Sequence, residues 1–257
     1  MLSEKRVIAI IPALNEAPSI GAVLGDISSQ KYHGSPVVDS VIVCDNGSTD
    51  GTGDIAKSMG AETVFESKRS YGAACQKALQ HYWASDPKTD DILVFIDADH
   101  SVDMSELNTL LAPMTEGADL VIGNRNASEG AHSVLTPQQR FGNWLATGLI
   151  RLMWQVPVYD LGPFRCVRAQ ALRQMNMQDR GFGWTCEMQI RAAQDKLVVV
   201  EVPVSVKQRI GRSKISGTLM GSLRAGWGIL STVFGLWLLQ TKARRDGVIQ
   251  EKRLKTI

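Results

Sequence analysis

Much that would disclose a function directly is missing from this chain of 257 residues. It has four cysteines, Cys44, Cys75, Cys166 and Cys186, and no two of them make a CxxC pair. His33, His81, His100 and His132 are as scattered, so no zinc constellation is encoded, and the cysteines read as reduced residues of a cytoplasmic protein. No Pro/Gly/Ser-rich linker, low-complexity tract or internal repeat divides the sequence. The segment Met1 to Arg6 is charged and runs into a short strand, so no signal peptide is expected. Long apolar runs are absent too. The uncharged run Ala225–Leu239 covers fifteen residues and Arg224 blocks its upstream extension, short of the ~20 residues that span a bilayer. The net charge of +2 is unevenly placed: from Lys242 onward six Lys or Arg face two acids, which leaves the body slightly acidic. That is a weakly basic tail, not a nucleic-acid footprint.

What is present is organised around Asp91-Ile92-Leu93-Val94-Phe95-Ile96-Asp97-Ala98-Asp99. Five large apolar residues in a row read as a strand buried on both faces, as in a parallel sheet. It ends in two carboxylates one residue apart, at the edge where α/β sheets bind ligands. Alternation puts Asp97 and Asp99 on one side of an extended chain. Two hard oxygen ligands there suit Mg²⁺ or Mn²⁺ with substrate phosphates completing the shell. A plainer reading is that Asp99 and Asp103 cap the helix that follows near Met104.

Around this strand the elements alternate. Strands are expected at Arg6–Ile11, Ser40–Cys44, Thr63–Phe65, Ile92–Ile96, Leu120–Ile122 and Val198–Val206. Helices are expected from about Ser19, then at Gly51–Met59, Gly72–Ser85, Met104–Met114, Pro137–Trp154, Ala169–Met175, Trp184–Gln194 and Thr218–Gln240. Asn126–Thr136 and the basic stretch Lys207–Lys214 read as loops. Strand–helix units of this length imply an α/β protein with a mainly parallel, doubly wound sheet. Size and composition accommodate one large α/β domain, or such a domain with an appendage.

The first βα turn is Pro12-Ala13-Leu14-Asn15-Glu16, with no GxGxxG, and GxxxxGK[ST] occurs nowhere. Dinucleotide enzymes and P-loop enzymes are thereby excluded. The second strand ends in Asp45-Asn46-Gly47-Ser48-Thr49-Asp50-Gly51-Thr52. Asp45 emerges at the same sheet edge as Asp97, where it could accept hydrogen bonds from a ribose or a base. The remainder is also ordinary turn and cap chemistry. These two motifs together with Asp97-Ala98-Asp99 resemble the nucleotide-sugar half of family 2 glycosyltransferases with the Rossmann-like GT-A fold. Gly123-Asn124-Arg125, Asp160-Leu161-Gly162-Pro163-Phe164-Arg165 and Arg209-Ile210-Gly211-Arg212-Ser213-Lys214 resemble later motifs of the dolichyl/polyprenyl-phosphate sugar synthase branch. The resemblance spans residues 6–216.

The resemblance implies a set of roles. Pro12, Asn15 and Glu16 would line the nucleotide pocket, Asp45 would bind base or ribose, and the Asp97-Ala98-Asp99 turn would meet the nucleotide sugar, its two aspartates holding the metal through the sugar diphosphate. That branch often has Gln two places after the second aspartate, where this chain has Ser101. Arg125 would meet an acceptor phosphate, with Arg140 as a second cation, since arginine's planar fork suits phosphate. Arg209 and Lys214, in a loop able to close, would stabilise the departing nucleoside diphosphate. Transfer would be a direct, inverting displacement. A lipid phosphate acceptor is largely ionised and needs little base catalysis, whereas a hydroxyl acceptor needs a base, for which Glu187 and Asp160 are candidates.

Leu219, Leu223, Trp227, Leu230, Phe234 and Trp237 form an apolar stripe on the last helix, and Gly221, Gly228 and Gly235 recur every seventh residue on another face. With the basic tail the stripe suits a helix lying in the membrane interface, on the cytoplasmic leaflet. A homo-oligomer contact and simple core packing compete with that reading. The expected division is therefore a GT-A domain over 1–216 and an amphipathic helix with basic tail over 217–257. The expected function is a metal-dependent glycosyltransferase, moving a hexose from a nucleotide sugar (UDP ahead of GDP by resemblance) to a polyprenyl phosphate. Alternatives are a glycolipid or polysaccharide hydroxyl acceptor, a nucleotidyltransferase, which would want a glycine-rich basic loop where Pro12–Glu16 stands, and a non-catalytic sugar-nucleotide-binding protein.

Overall fold

A computed structural model describes residues 5–32, 34–127, 135–211 and 219–254. The elements run β1 (Val7–Ala13), α1 (Ala17–Ser29), β2 (Lys31–Tyr32), β3 (Ser35–Pro36), β4 (Ser40–Asp45), α2 (Thr52–Ser58), β5 (Glu62–Phe65) and α3 (Tyr71–Ala84). Then follow β6 (Ile92–Phe95), α4 (Leu107–Thr115) after a 3₁₀ turn, β7 (Leu120–Asn124), α5 (Pro137–Trp154), β8 (Arg165–Arg168), α6 (Ala169–Met175), α7 (Trp184–Gln194), β9 (Val199–Pro203) and α8 (Leu219–Leu254).

Seven strands form one sheet in the order β5-β4-β1-β6-β8-β7-β9, all parallel to their neighbours except β8, which is antiparallel to both β6 and β7. Alternate strand residues supply opposite faces, as strand pleating requires. Val7, Ala9 and Ile11 with Val94 pack against Ile20, Val23 and Leu24 of α1 and Leu110 of α4. Ile8 and Ile10 with Leu93 and Phe95 pack against Ala74 and Ala78 of α3 and Trp184 and Met188 of α7. All four residues of β6 are fully buried, each such side chain contributing about 1.5–3 kcal/mol. Chain order reverses between β1 and β6, so their carboxyl ends open a crevice.

Three expectations are corrected. The segment ending at Arg168 includes a strand, β8, which inserts between β6 and β7 through the pairings Phe95↔Arg165 and Ile122↔Arg165. The late strand is shorter than Val198–Val206, and Val206 instead makes an isolated antiparallel bridge to Val102. The last helix continues past Gln240 to Leu254, because Lys, Ala, Arg and Glu beyond it favour helix and no proline stops it. Of the apolar stripe on α8, Trp227, Phe234 and Trp237 are exposed. The helix packs instead through Val233, Leu236 and Ile229, against α5 and α7. Leu219 and Leu223 of the stripe lie outside the described side chains. Among the described residues no helix is long and apolar enough to cross a membrane.

Candidate active site

A cleft of about 200 Å³ opens at the carboxyl ends of β1 and β6. Pro12 lines it from the end of β1, which extends past the expected Ile11, Glu16 from the turn that follows, Asp97, Ala98 and Asp99 from the end of β6, and Arg209 from the basic loop. Asn46, Arg69, Ser70, Tyr71 and Phe182 complete the walls.

The two aspartates differ in environment. Asp99 accepts the backbone N–H of Ser101 at 2.9 Å, while Asp103, not Asp99, caps the 3₁₀ turn by accepting from Ser105 N–H. The Oδ1 atom of Asp97 is buried and has no hydrogen-bond partner among the described residues. Burial, and then the like charge of Asp99, pushes the Asp97 carboxyl up to about 7, against the opposing pull of Arg125, the Tyr71 hydroxyl and Arg209. An orphaned carboxylate oxygen beside a second carboxylate fits a hard divalent cation. Among the described residues no third His, Cys, Asp or Glu joins them.

Arg209 reaches the same place from the other side. Its guanidinium stands 3.1 Å from Asp99 and 3.5 Å from Glu16. Two backbone hydrogen bonds, Lys207 N–H to Ser101 O and Ile210 N–H to Asp99 O, lay the loop along the 99–102 segment. Lys207 anchors it through Asp103 at 3.2 Å. Glu16 is further held by the Ser19 hydroxyl at 3.0 Å, and its backbone N–H by Thr52 Oγ1. Lys214 lies outside the described residues.

Asn15 and Asp45 do not line the cleft. Asn15, with φ of 51°, accepts from Thr49 N–H and donates its own N–H to Ser48 Oγ. Asp45 accepts from Ser48 N–H at 2.8 Å and presses against Gly53, where a Cβ would lie 2.8 Å from its Oδ2. Both brace the turn behind the wall. Asn46 has more consequence than its turn-forming character suggests. It donates to the carbonyls of Glu66 and Lys68 and accepts from Ser70 N–H, which sets Arg69, Ser70 and Tyr71 into the cleft. Sequence reasoning missed Arg69, Tyr71 and Phe182. The small-residue run Gly72-Ala73-Ala74 was the available signal, since a Cβ at Gly72 would strike the backbone of Asp179–Gly181.

On the far side Arg125 follows β7 and is gripped by Asp160, itself fully buried. Burial opposes the Arg125 charge, but the Asp160 pair outweighs it and raises its pKa, with Asp97 adding to the same effect. Glu187 is not an exposed helix carboxylate. It is buried, accepts the backbone N–H groups of Gln178 and Asp179 at 2.6–3.0 Å, and lies outside the cleft lining. Arg140 is exposed in the first turns of α5 and is likewise outside the lining. All four cysteines are free and buried.

Residues 8–175 match the sequence profile of glycosyl transferase family 2. An uncharacterized glycosyltransferase of Mycobacterium tuberculosis is 36% identical over 220 residues, covering 85% of this chain and 94% of that protein. The undecaprenyl-phosphate mannosyltransferase of Micrococcus luteus is 30% identical over 90% of this chain and 97% of its own length. Among solved structures, glucosyl-3-phosphoglycerate synthase from M. tuberculosis in complex with Mn²⁺, UDP and phosphoglyceric acid superposes with a TM-score of 0.70. It is 20% identical and covers 91% of this chain and 79% of that one. At that identity the likeness is one of fold, and the fold is GT-A.

Proposed function

Because the chain belongs to glycosyl transferase family 2, we propose that this glycosyltransferase moves a hexose from a nucleotide sugar, UDP-linked ahead of GDP-linked, onto a polyprenyl phosphate. The observation that favours a phosphate acceptor is the state of the two candidate bases. Asp160 is spent on Arg125 and Glu187 on the backbone of Gln178 and Asp179. Neither is free to take a proton from an acceptor hydroxyl, whereas a lipid phosphate arrives ionised. Relatives named for undecaprenyl phosphate and polyprenol point the same way.

Asp97 and Asp99 would hold Mg²⁺ or Mn²⁺, and structures of similar fold contain Mn²⁺ or Mg²⁺ with UDP. When bound, the cation would offset the charge of the diphosphate. Pro12, Glu16, Arg69 and Tyr71 would enclose the nucleotide, with Asp45 and Asn15 bracing that wall from behind. Arg209 would leave Asp99 to meet the departing nucleoside diphosphate, aided by Lys214. Arg125, preset by Asp160, would fix the acceptor phosphate, with Arg140 guiding its approach. The phosphate oxygen would then displace the diphosphate at the anomeric carbon with inversion.

The same reading places the protein in the cytoplasm, peripheral on the inner membrane face. Residues 1–216 would form the catalytic domain and 217–257 a membrane-contacting helix and tail. Trp227, Trp237, Leu238 and Leu239 are exposed on α8, and Phe141, Trp144 and Leu152 on α5, which packs against it. Such aromatics with a basic tail suit a lipid interface, and a homo-oligomer through α8 is the competing use of this surface.

The test is a screen of UDP- and GDP-sugars with Mn²⁺ or Mg²⁺, with and without a short polyprenyl phosphate. Metal-dependent release of nucleoside diphosphate that rises with the lipid phosphate, and is lost in Asp99→Asn, supports the proposal. Release indifferent to the lipid phosphate moves the acceptor to a hydroxyl compound, and no release leaves a sugar-nucleotide-binding protein.

A further inference from the structure

The C-terminal helix touches more than a membrane or a partner could use. Between α6 and α7 the chain from Gln178 to Gly183 forms a loop whose far end bears Phe182, a wall of the cleft. Phe182 is half-buried and faces the cleft, while the next two residues, Gly183 and Trp184, are buried. A residue serving only the core would face inward with them.

The loop is held from three sides. Glu187 of α7 takes its first two backbone N–H groups. At α3, Gly72 donates its N–H to Gly181 O at 2.9 Å, immediately beside Tyr71 in the cleft. The third hold comes from α8. The Thr232 hydroxyl donates to Asp179 Oδ2 at 2.6 Å, while Asp179 Oδ1 accepts Gly181 N–H at 2.6 Å, so one carboxylate joins the helix to the turn. Gly183 lies against this contact so closely that a Cβ there would collide with both the Thr232 hydroxyl and the Asp179 carboxylate. One turn earlier on α8, a Cβ at Gly228 would stand 3.4 Å from the Cβ of Phe182 itself. That is ordinary van der Waals distance, so the helix runs directly behind the cleft wall at this position.

We infer that α8 positions the donor cleft: Thr232 through Asp179, and Gly228 by close approach, set the Gln178–Gly183 loop and with it Phe182. This rests on the cleft being the nucleotide-sugar site. Thr232 and Gly228 are positioning residues, since neither lines the cleft. Thr232→Val keeps the shape and removes the hydroxyl, leaving Asp179 to the loop alone. Glu187 and Gly72 still hold the loop, so the fold persists while Phe182 loses its fixed place.

The experiment is steady-state transfer on the full chain with the donor identified by the screen above. Thr232→Val should raise the donor KM about fivefold, the loss of one hydrogen bond, with kcat within about twofold, and Thr232→Ser should restore it. Phe182→Ala should raise the same KM, and Gly228→Leu, which pushes on Phe182 without touching the hydrogen bond, should do so as well. A donor KM unchanged in Thr232→Val or in Phe182→Ala overturns the inference, as does a fall in kcat alone. Equilibrium binding of UDP and GDP to the wild-type protein separates the two levels. If neither binds, the functional reading fails. If one binds with the same affinity to wild type and Thr232→Val, only the positioning claim fails.

Discussion

Arg125 and Asp160 are joined by three hydrogen bonds. The guanidinium donates through Nε at 2.9 Å and Nη2 at 2.7 Å, and the Arg125 backbone N–H donates to the same carboxylate at 2.7 Å. Gly162 lies alongside the pair, where a Cβ would collide with Gly123 O. Such a fork fixes both the position and the plane of the arginine. Asp160→Asn should therefore keep the fold but free Arg125 to turn. Transfer to a phosphate acceptor should fall about tenfold to a hundredfold, with donor hydrolysis retained, as measured by product formation against nucleoside diphosphate release.

Arg209 pairs with the carboxylate of Asp99, a proposed metal ligand. It stands at 3.1 Å from Asp99 while bridging to Glu16. Removing it in Arg209→Gln ends that pairing but also deletes a cation for the leaving group. Mn²⁺ should bind several-fold more tightly, and kcat should fall on the order of a hundredfold. Paramagnetic relaxation or calorimetry reads the first effect and the transfer rate the second.

Away from the cleft, Asp91 ties the start of β6 to the rest of the domain. It accepts from Arg6, from the Tyr82 hydroxyl at 2.7 Å and from Lys88 N–H. Burial pushes its carboxyl up, yet these bonds outweigh burial and hold it below the usual carboxylate range. The stabilisation is thus complete above the unfolded pKa of about 4 and is lost as pH falls through the depressed folded value. Tyr82→Phe should cost about 2 kcal/mol at neutral pH, or about 4–8 °C in Tm. The gap between variant and wild type should narrow on acidification, which thermal scans across pH will check.

Trp227 is 77% exposed on α8. If this face meets lipid, Trp227→Ala together with Leu238→Ser should weaken binding to anionic vesicles about tenfold, without changing Tm. Co-sedimentation against neutral and anionic vesicles measures it. Unchanged sedimentation with a smaller mass in solution would assign the face to a second copy.

The elements with strong local signals were legible in the sequence. The apolar run of β6 predicted a crevice at Asp97 and Asp99, and both line it, whereas Pro12, expected in the turn after β1, lies in the strand itself, which runs on to Ala13. What escaped depends on distant chain. β8 is only four residues long with arginine at both ends, so its insertion between β6 and β7 left no periodic trace. Glu187 lies on a helix with nothing in its spacing to show that the Gln178–Asp179 backbone folds back over it. Arg209 was singled out in the sequence, but its pairing with Asp99 was not, since that depends on the Val206–Val102 bridge and on the bonds from Lys207 and Ile210 to the 99–101 backbone. Asp179 and Thr232 are far apart in sequence and meet through loop geometry that no pattern announces.

The central claim, transfer of a hexose from a nucleotide sugar to a lipid phosphate in the Asp97/Asp99 cleft, is tested most directly by the product. The wild-type protein is incubated with the preferred labelled nucleotide sugar, Mn²⁺ and a short polyprenyl phosphate, and the organic extract is read by mass spectrometry. A lipid phosphate heavier by one hexosyl residue, formed by wild type and absent with Asp99→Asn, is the predicted result. An unmodified lipid phosphate, under conditions where the donor binds, would contradict it.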